Sequence, residues 1–166
     1  MASLDVVHSS NPIIRKKSKA VNRITLEITK LIKDMVATMY DRNGVGLAAI
    51  QVGQPLRIFV FDISEDRDEP QAIINPKLIH KEGRQTGVEG CLSVPGLEGE
   101  VERYQKVVVK GKNIKFEDIE IEADEFLAVV LQHELDHLEG VLYIDKVNEG
   151  TLKPVDKKKK HEEVDI

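Results

Sequence analysis

The sequence contains no tryptophan, four phenylalanines and three tyrosines in 166 residues. Aromatic side chains are too few to dominate a core, so the interior must be assembled mainly from Ile, Val and Leu. There is one cysteine, Cys91, which excludes an internal disulfide and fits a reducing, cytoplasmic setting. No segment approaches the roughly 20 consecutive apolar residues that a membrane-spanning helix needs. The stretch MASLDVVHSSNP lacks the apolar centre of a secretory signal. Basic excess is also missing: 24 Lys and Arg stand against 29 Asp and Glu, for a net charge of −5. That balance argues against nucleic acid as the main partner, because phosphate binding needs a basic surface. The one basic run, Lys157 to Lys160, is followed at once by Glu162, Glu163 and Asp165 and reads as a solvated tail. Internal repeats and Pro/Gly/Ser linkers are lacking too. The expectation is one domain over residues 1–148, of ordinary core size, with a charged tail at 149–166.

Residues 1–23 read as an irregular arm. From Thr25 to Arg42 the apolar residues Ile28, Leu31, Ile32, Met35, Val36 and Met39 recur at three- and four-residue steps, which predicts an amphipathic helix. Thr25 is its N-cap, and Asn43-Gly44 ends it, with Gly taking the left-handed backbone. Leu56–Phe61 and Gln71–His80 are rich in β-branched residues and predict strands, with Pro76 forcing a bulge or an edge position. Tyr104–Lys110 and Lys115–Glu122 predict a hairpin turning around Gly111-Lys112-Asn113, with the acids of the second strand facing water. A last helix runs from Asp124, its cap, to Glu139, and Gly140 stops it. Phe126, Val129, Val130, His133 and His137 share one broad face, and Leu127, Leu131, Leu135 and Leu138 flank it. The fold class is therefore α+β: small antiparallel or mixed sheets around a central buried helix, with an N-terminal amphipathic helix.

That last helix carries Gln132-His133-Glu134-Leu135-Asp136-His137, an H-E-x-x-H motif. Residues four apart sit one turn apart on the same helical face. Two imidazoles so placed can bind one metal ion, and the intervening Glu can reach water bound to it. The five-residue pattern alone also fits two buried structural histidines. The helix is otherwise apolar, however, and burying two histidines and two acids without a partner is costly. Cys91, in Glu89-Gly90-Cys91-Leu92-Ser93, offers a third ligand. A lone cysteine is usually a small buried hydrophobe, but three ligands plus an open position form the catalytic pattern of a metal site. Glu134 would then act as general acid–base. A third His at the metzincin position is missing, since residues 138–143 are Leu-Glu-Gly-Val-Leu-Tyr. A second small-residue stretch, Gly44-Val45-Gly46-Leu47-Ala48-Ala49-Ile50-Gln51, has neither a dinucleotide fingerprint nor a P-loop Lys. It reads either as a tightly packed strand or as backbone that approaches an extended peptide, with Gln51 as an amide donor to an oxyanion.

Three segments together, GVGLAAIQ at 44–51, EGCLS at 89–93 and QHELDHLEG at 132–140, resemble the peptide deformylase family in composition, order and spacing. The resemblance covers roughly residues 4–147. It implies a bacterial or organellar hydrolase that removes the formyl group from the N-terminal formylmethionine of nascent proteins. It implies Cys91, His133 and His137 as ligands to one divalent metal, Fe²⁺ by family habit, with Zn²⁺, Ni²⁺ or Co²⁺ as substitutes. It also implies Glu134 as the acid–base acting on metal-bound water, and Gln51 with the Leu92 N–H as oxyanion donors. Gly46 would bind substrate through its backbone, and Val45, Val129 and Val130 would line the methionine pocket. The implied partners are N-formylmethionyl peptides and the ribosome that carries them. Glu89, Arg103 and Asp136 are candidates to support the ligands from outside, with their pairing left open. The readings held against this one are a small metallopeptidase cutting internal peptide bonds and a metal-stabilised binding domain without turnover.

Overall fold

A computed structural model describes residues 2–156 and 166. The first strong element is α1 (Leu26–Asp41), capped by Thr25, whose hydroxyl accepts the Ile28 N–H. Its stripe buries Ile32, Met35 and Met39 against Leu47, Ile58, Val60 and Ile74, which form one of two apolar clusters among the described residues. The helix ends as its sequence predicts, with one correction. Asn43 rather than Gly44 takes the left-handed turn, at φ 54°, a conformation that asparagine tolerates better than other side-chain-bearing residues.

The chain then forms β1 (Gly46–Ala48), β2 (Ile58–Phe61), β3 (Gln71–Glu82), β4 (Gln85–Cys91), β5 (Val94–Arg103), β6 (Lys106–Lys112) and β7 (Asp118–Asp124). One sheet has the order β1-β2-β3-β6-β7, antiparallel throughout. Pro76 sits at a register break between Ile74 and Lys77, so the expected bulge is present. The β6–β7 hairpin also forms, but it turns over residues 113–117 rather than around Gly111. Gly111 lies inside β6, where a Cβ would come within 2.7 Å of Ile73. Its small size serves packing, not turning.

A second, three-stranded sheet joins β4, β5 and β8 (Lys153–Pro154). Part of the segment expected as tail is thus a strand laid on β5, with Val155 N–H donating to the Gly96 carbonyl. The lysine run at 157–160 lies outside the described residues. The sequence pattern predicts no strand over 85–103, which is where Cys91 sits.

The helix α2 (Glu125–Leu138) buries most of its length, with Ala128, Val130, Leu131, Glu134, His137 and Leu138 fully enclosed. It is central and carries the H-E-x-x-H motif, as expected. Two details differ. Asp124 holds the N-cap position but makes no side-chain cap bond, and Phe126, on the helix's first turn, is exposed rather than on the buried face. The helix stops at Gly140, at φ 75°, where a Cβ would lie 2.2 Å from the Arg15 carbonyl oxygen. Gly140→Ala therefore meets both left-handed strain and a backbone clash. It is expected to cost about 2 kcal/mol or more, read as a lowered urea midpoint with an unchanged m-value. No helix among the described residues is long and apolar enough to cross a membrane.

Candidate metal centre

Three elements deliver the site. The helix α2 presents His133 and His137 one turn apart, their rings 5.0 Å apart at 66°. The end of β4 presents Cys91, whose Sγ lies 3.4 Å from His137 Nε2. A short 3₁₀ turn after β1, over Ala49–Val52, presents Gln51. The strand reading of this stretch holds only as far as Ala48, and the turn takes over before Gln51. It swings the amide inward, where Oε1 accepts the Ala48 N–H at 2.9 Å and Nε2 donates to Ser93 Oγ at 3.1 Å. The same Nε2 lies 3.7 Å from Cys91 Sγ.

Cys91, His133 and His137 each offer one ligand atom, and those atoms all lie within 4.8 Å of one another. All three residues are buried. His133 Nδ1 is held by Glu89 Oε1 at 2.9 Å, which fixes the ring and leaves the lone pair of Nε2 unused. That Nε2 has no hydrogen-bond partner among the described residues. A buried nitrogen left so is expensive unless something binds it. Burial also lowers the pKa of His137, and the nearby His133 adds to the shift. His137 is thereby kept neutral, the form that ligates a metal. The residues therefore fit a divalent cation: one thiolate and two imidazoles, that of His133 held by Glu89, a set of three that leaves a four-coordinate ion one open position.

Glu134 lies between the two histidines in sequence and is wholly buried. Neither of its carboxylate oxygens has a hydrogen-bond partner among the described residues. Burial, helped by the charge of Glu89, pushes its carboxyl well above the ordinary glutamate range. The backbone of β1 packs directly on it, since a Cβ on Gly46 would stand 3.1 Å from Glu134 Cδ and 3.2 Å from Oε2. Val45, Val129 and Val130 join Cys91 in the second apolar cluster. Leu92 is half-buried beside Cys91, with its N–H donating to the Ile166 carbonyl oxygen at 3.4 Å.

Behind the histidines, the pairing of Glu89, Arg103 and Asp136 is explicit. Arg103 grips Glu89 with two bonds of 2.8 Å and reaches Asp136 at 2.7 Å. Lys146 also binds Asp136, at 3.0 Å from the same oxygen and 3.1 Å from the other. Burial alone would raise the Glu89 pKa, but the bonds from Arg103 and His133 outweigh it and lower it to about 2. Three further residues carry no signal of this role in the sequence. Gln132 ties α2 to Tyr104 through its backbone N–H at 3.0 Å and carbonyl at 2.9 Å, Tyr143 stacks on His133, and Ser93 holds Gln51. Gln132 lies beside the H-E-x-x-H motif, but only the fold puts Tyr143 and Ser93 next to it.

The family described as polypeptide deformylase matches residues 3–153. A peptide deformylase of Pseudoalteromonas translucida is 46% identical over 145 residues, covering 87% of each chain. One from Neisseria meningitidis is 41% identical over 165 residues, covering 97% of this chain and 99% of its own. Among solved structures, a peptide deformylase from Legionella pneumophila superposes with a TM-score of 0.86 at 40% identity, covering 89% of this chain and 88% of that one. A peptide deformylase from Synechococcus elongatus in complex with actinonin gives 0.85 at 37% identity, covering 90% and 81%. Sequence, fold and the three-ligand cluster agree, and the chain belongs to the peptide deformylase family of metal-dependent hydrolases.

Proposed function

We propose that this chain hydrolyses the formamide of N-formylmethionyl peptides as nascent chains leave the ribosome in the bacterial cytoplasm. Cys91, His133 and His137 hold one divalent metal, Fe²⁺ in the native enzyme, with Zn²⁺, Ni²⁺ or Co²⁺ able to replace it. The observation that carries this reading is the convergence of three ligand atoms within 4.8 Å beside a buried carboxylate without a partner among the described residues. A purely structural site needs no such carboxylate. The metal, when bound, supplies a Lewis acid that acidifies water and polarises a carbonyl.

The remaining work falls to the chain. β1 is an edge strand of its sheet, so the Gly46 backbone is free to pair with an extended peptide. Val45, Val129 and Val130 receive the methionine side chain. Gln51 Nε2 and the Leu92 N–H donate to the carbonyl oxygen as it gains negative charge. Glu134 takes a proton from the attacking water and passes it to the amine nitrogen. A C–O bond forms, the C–N bond breaks, and formate and a free amino terminus leave.

The test uses anaerobically purified protein, its metal measured, incubated with formyl-Met-Ala-Ser and with an unformylated peptide. Formate released with equimolar new amine is expected from the first peptide alone. Internal cleavage products would replace this reading with a peptidase. No turnover with Fe²⁺, Ni²⁺ or Zn²⁺ would leave a binding domain. Gly46→Ala provides a narrower check. The added methyl must move the Glu134 carboxylate by a few tenths of an ångström, and displacements of that order are expected to lower kcat/KM by about 10-fold or more. Wild-type kcat/KM in this variant would mean that β1 does not set the position of Glu134.

A further inference from the structure

Ile166 is separated in sequence from the fold by a charged segment that includes Glu162, Glu163 and Asp165, yet only 3% of its surface is exposed. It belongs to the same apolar cluster as Val45, Cys91 and Val129. Its carbonyl oxygen accepts the N–H of Leu92 at 3.4 Å. An aliphatic side chain in that cluster, with a carbonyl on that N–H, reproduces the two features by which the proposed reaction would recognise a formylmethionyl peptide. The Leu92 N–H is a single donor, so the Ile166 carbonyl and a substrate carbonyl cannot both hold it. At 3.4 Å the hydrogen bond is longer than an ordinary N–H···O bond, so apolar burial carries most of the contact, and such a contact is reversible.

We propose that Ile166 is a built-in occupant of the substrate site, which a peptide must displace before it binds. The inference rests on the assignment of Leu92 and the valines to substrate binding under the proposed function. A site open for only part of the time has its apparent affinity reduced by the open fraction, while turnover of the bound complex is unchanged. Ile166 would then set a threshold for substrate concentration and select against ligands that bind more weakly than it does.

Two measurements test this, one without turnover. In the metal-loaded full chain, Ile166→Asp is expected to lower KM for formyl-Met-Ala-Ser by about threefold or more at constant kcat. Ending the chain at Asp156 should do the same. The free peptide Glu-Glu-Val-Asp-Ile should inhibit the shortened chain competitively, and its Ile-to-Asp analogue should not. Equal KM in all three proteins, or no inhibition by the peptide, overturns the proposal. In protein labelled at the isoleucine δ1 methyls, the resonance that disappears in Ile166→Leu is expected away from its random-coil position. It should move back towards that position in excess Met-Ala-Ser. A random-coil resonance in the free protein refutes the docking even if deformylation is confirmed. A shifted resonance displaced by peptide upholds it even if no formate is released.

Discussion

Glu134→Gln is expected to lower kcat by about 10²- to 10⁴-fold while the bound metal stays in place. The amide keeps the shape of the carboxyl group, so the contact with the β1 backbone at Gly46 survives. It cannot accept a proton from water and return it to the leaving nitrogen. Metal content should not change, because the three converging ligand atoms belong to Cys91, His133 and His137. Stability should move the other way. In the metal-free protein the Glu134 carboxyl is raised well above the usual range by burial. Between the ordinary glutamate pKa and that raised value, the folded state binds more protons than the unfolded state. Stability therefore falls as pH rises through this window, and an amide at this position, which does not titrate, removes the fall. Metal-free Glu134→Gln should thus unfold at higher urea than wild type at neutral pH, and the gap should close in acid. A variant that keeps most of its kcat, or that loses metal and activity together, would take the acid–base role away from Glu134.

The two helices were legible in the sequence because each carries a long apolar period and a stop signal. α1 has its stripe from Ile28 to Met39, and α2 is closed by Gly140. Helical spacing alone puts His133 and His137 one turn apart on one face of α2, as the structure has them. Cys91 was legible as a residue but not as a position. The strand that carries it, β4, reads Gln-Thr-Gly-Val-Glu-Gly-Cys, and β5 includes Pro95, Gly96 and Gly99. Both lack the β-branched density by which a strand announces itself. Their buried positions are filled partly by Glu89, Arg103 and Gly99 rather than by aliphatic residues. A sequence pattern scores those as exposed.

The hairpin of β6 and β7 shows the reverse error. Gly111 looks like a turn residue, but its missing side chain makes room for Ile73 on the neighbouring strand. Gln51 is a third case. The run of small residues is equally readable as strand or as loop, and only the 3₁₀ turn at Ala49–Val52 aims the amide at Ser93 and Cys91. In each case a local pattern is overridden by a contact from a distant segment. The same holds for the pairing of Glu89, Arg103 and Asp136, in which Arg103 lies 14 residues from Glu89 and 33 from Asp136 along the chain.

That pairing leads to the largest expected effect on stability. Arg103→Met should destabilise the metal-free protein by about 3–5 kcal/mol. The Arg103 and Glu89 side chains are 3% and 1% exposed. Removing the guanidinium leaves a buried carboxylate with His133 as its only remaining partner among the described residues. Glu89→Gln should cost less, because Arg103 keeps its 2.7 Å bond to Asp136, which is partly open to solvent. The double variant should recover part of the Arg103→Met loss, since no uncompensated charge remains.

Acid provides a second readout of the same pair. The Glu89 pKa is lowered to about 2 from an ordinary 4.5. Its share of stability is therefore fully present above about pH 4.5 and is lost as pH falls towards 2. Glu89→Gln should flatten that part of the acid unfolding curve. A neutral amide at position 89 also holds His133 Nδ1 more weakly than the carboxylate does, and metal affinity should drop by about 10- to 100-fold. Urea unfolding of the three metal-free proteins, together with a metal titration of each, decides the matter. If Glu89→Gln proves more destabilising than Arg103→Met, the buried charge is not what the arginine neutralises, and Arg103 serves the fold mainly through Asp136 and α2.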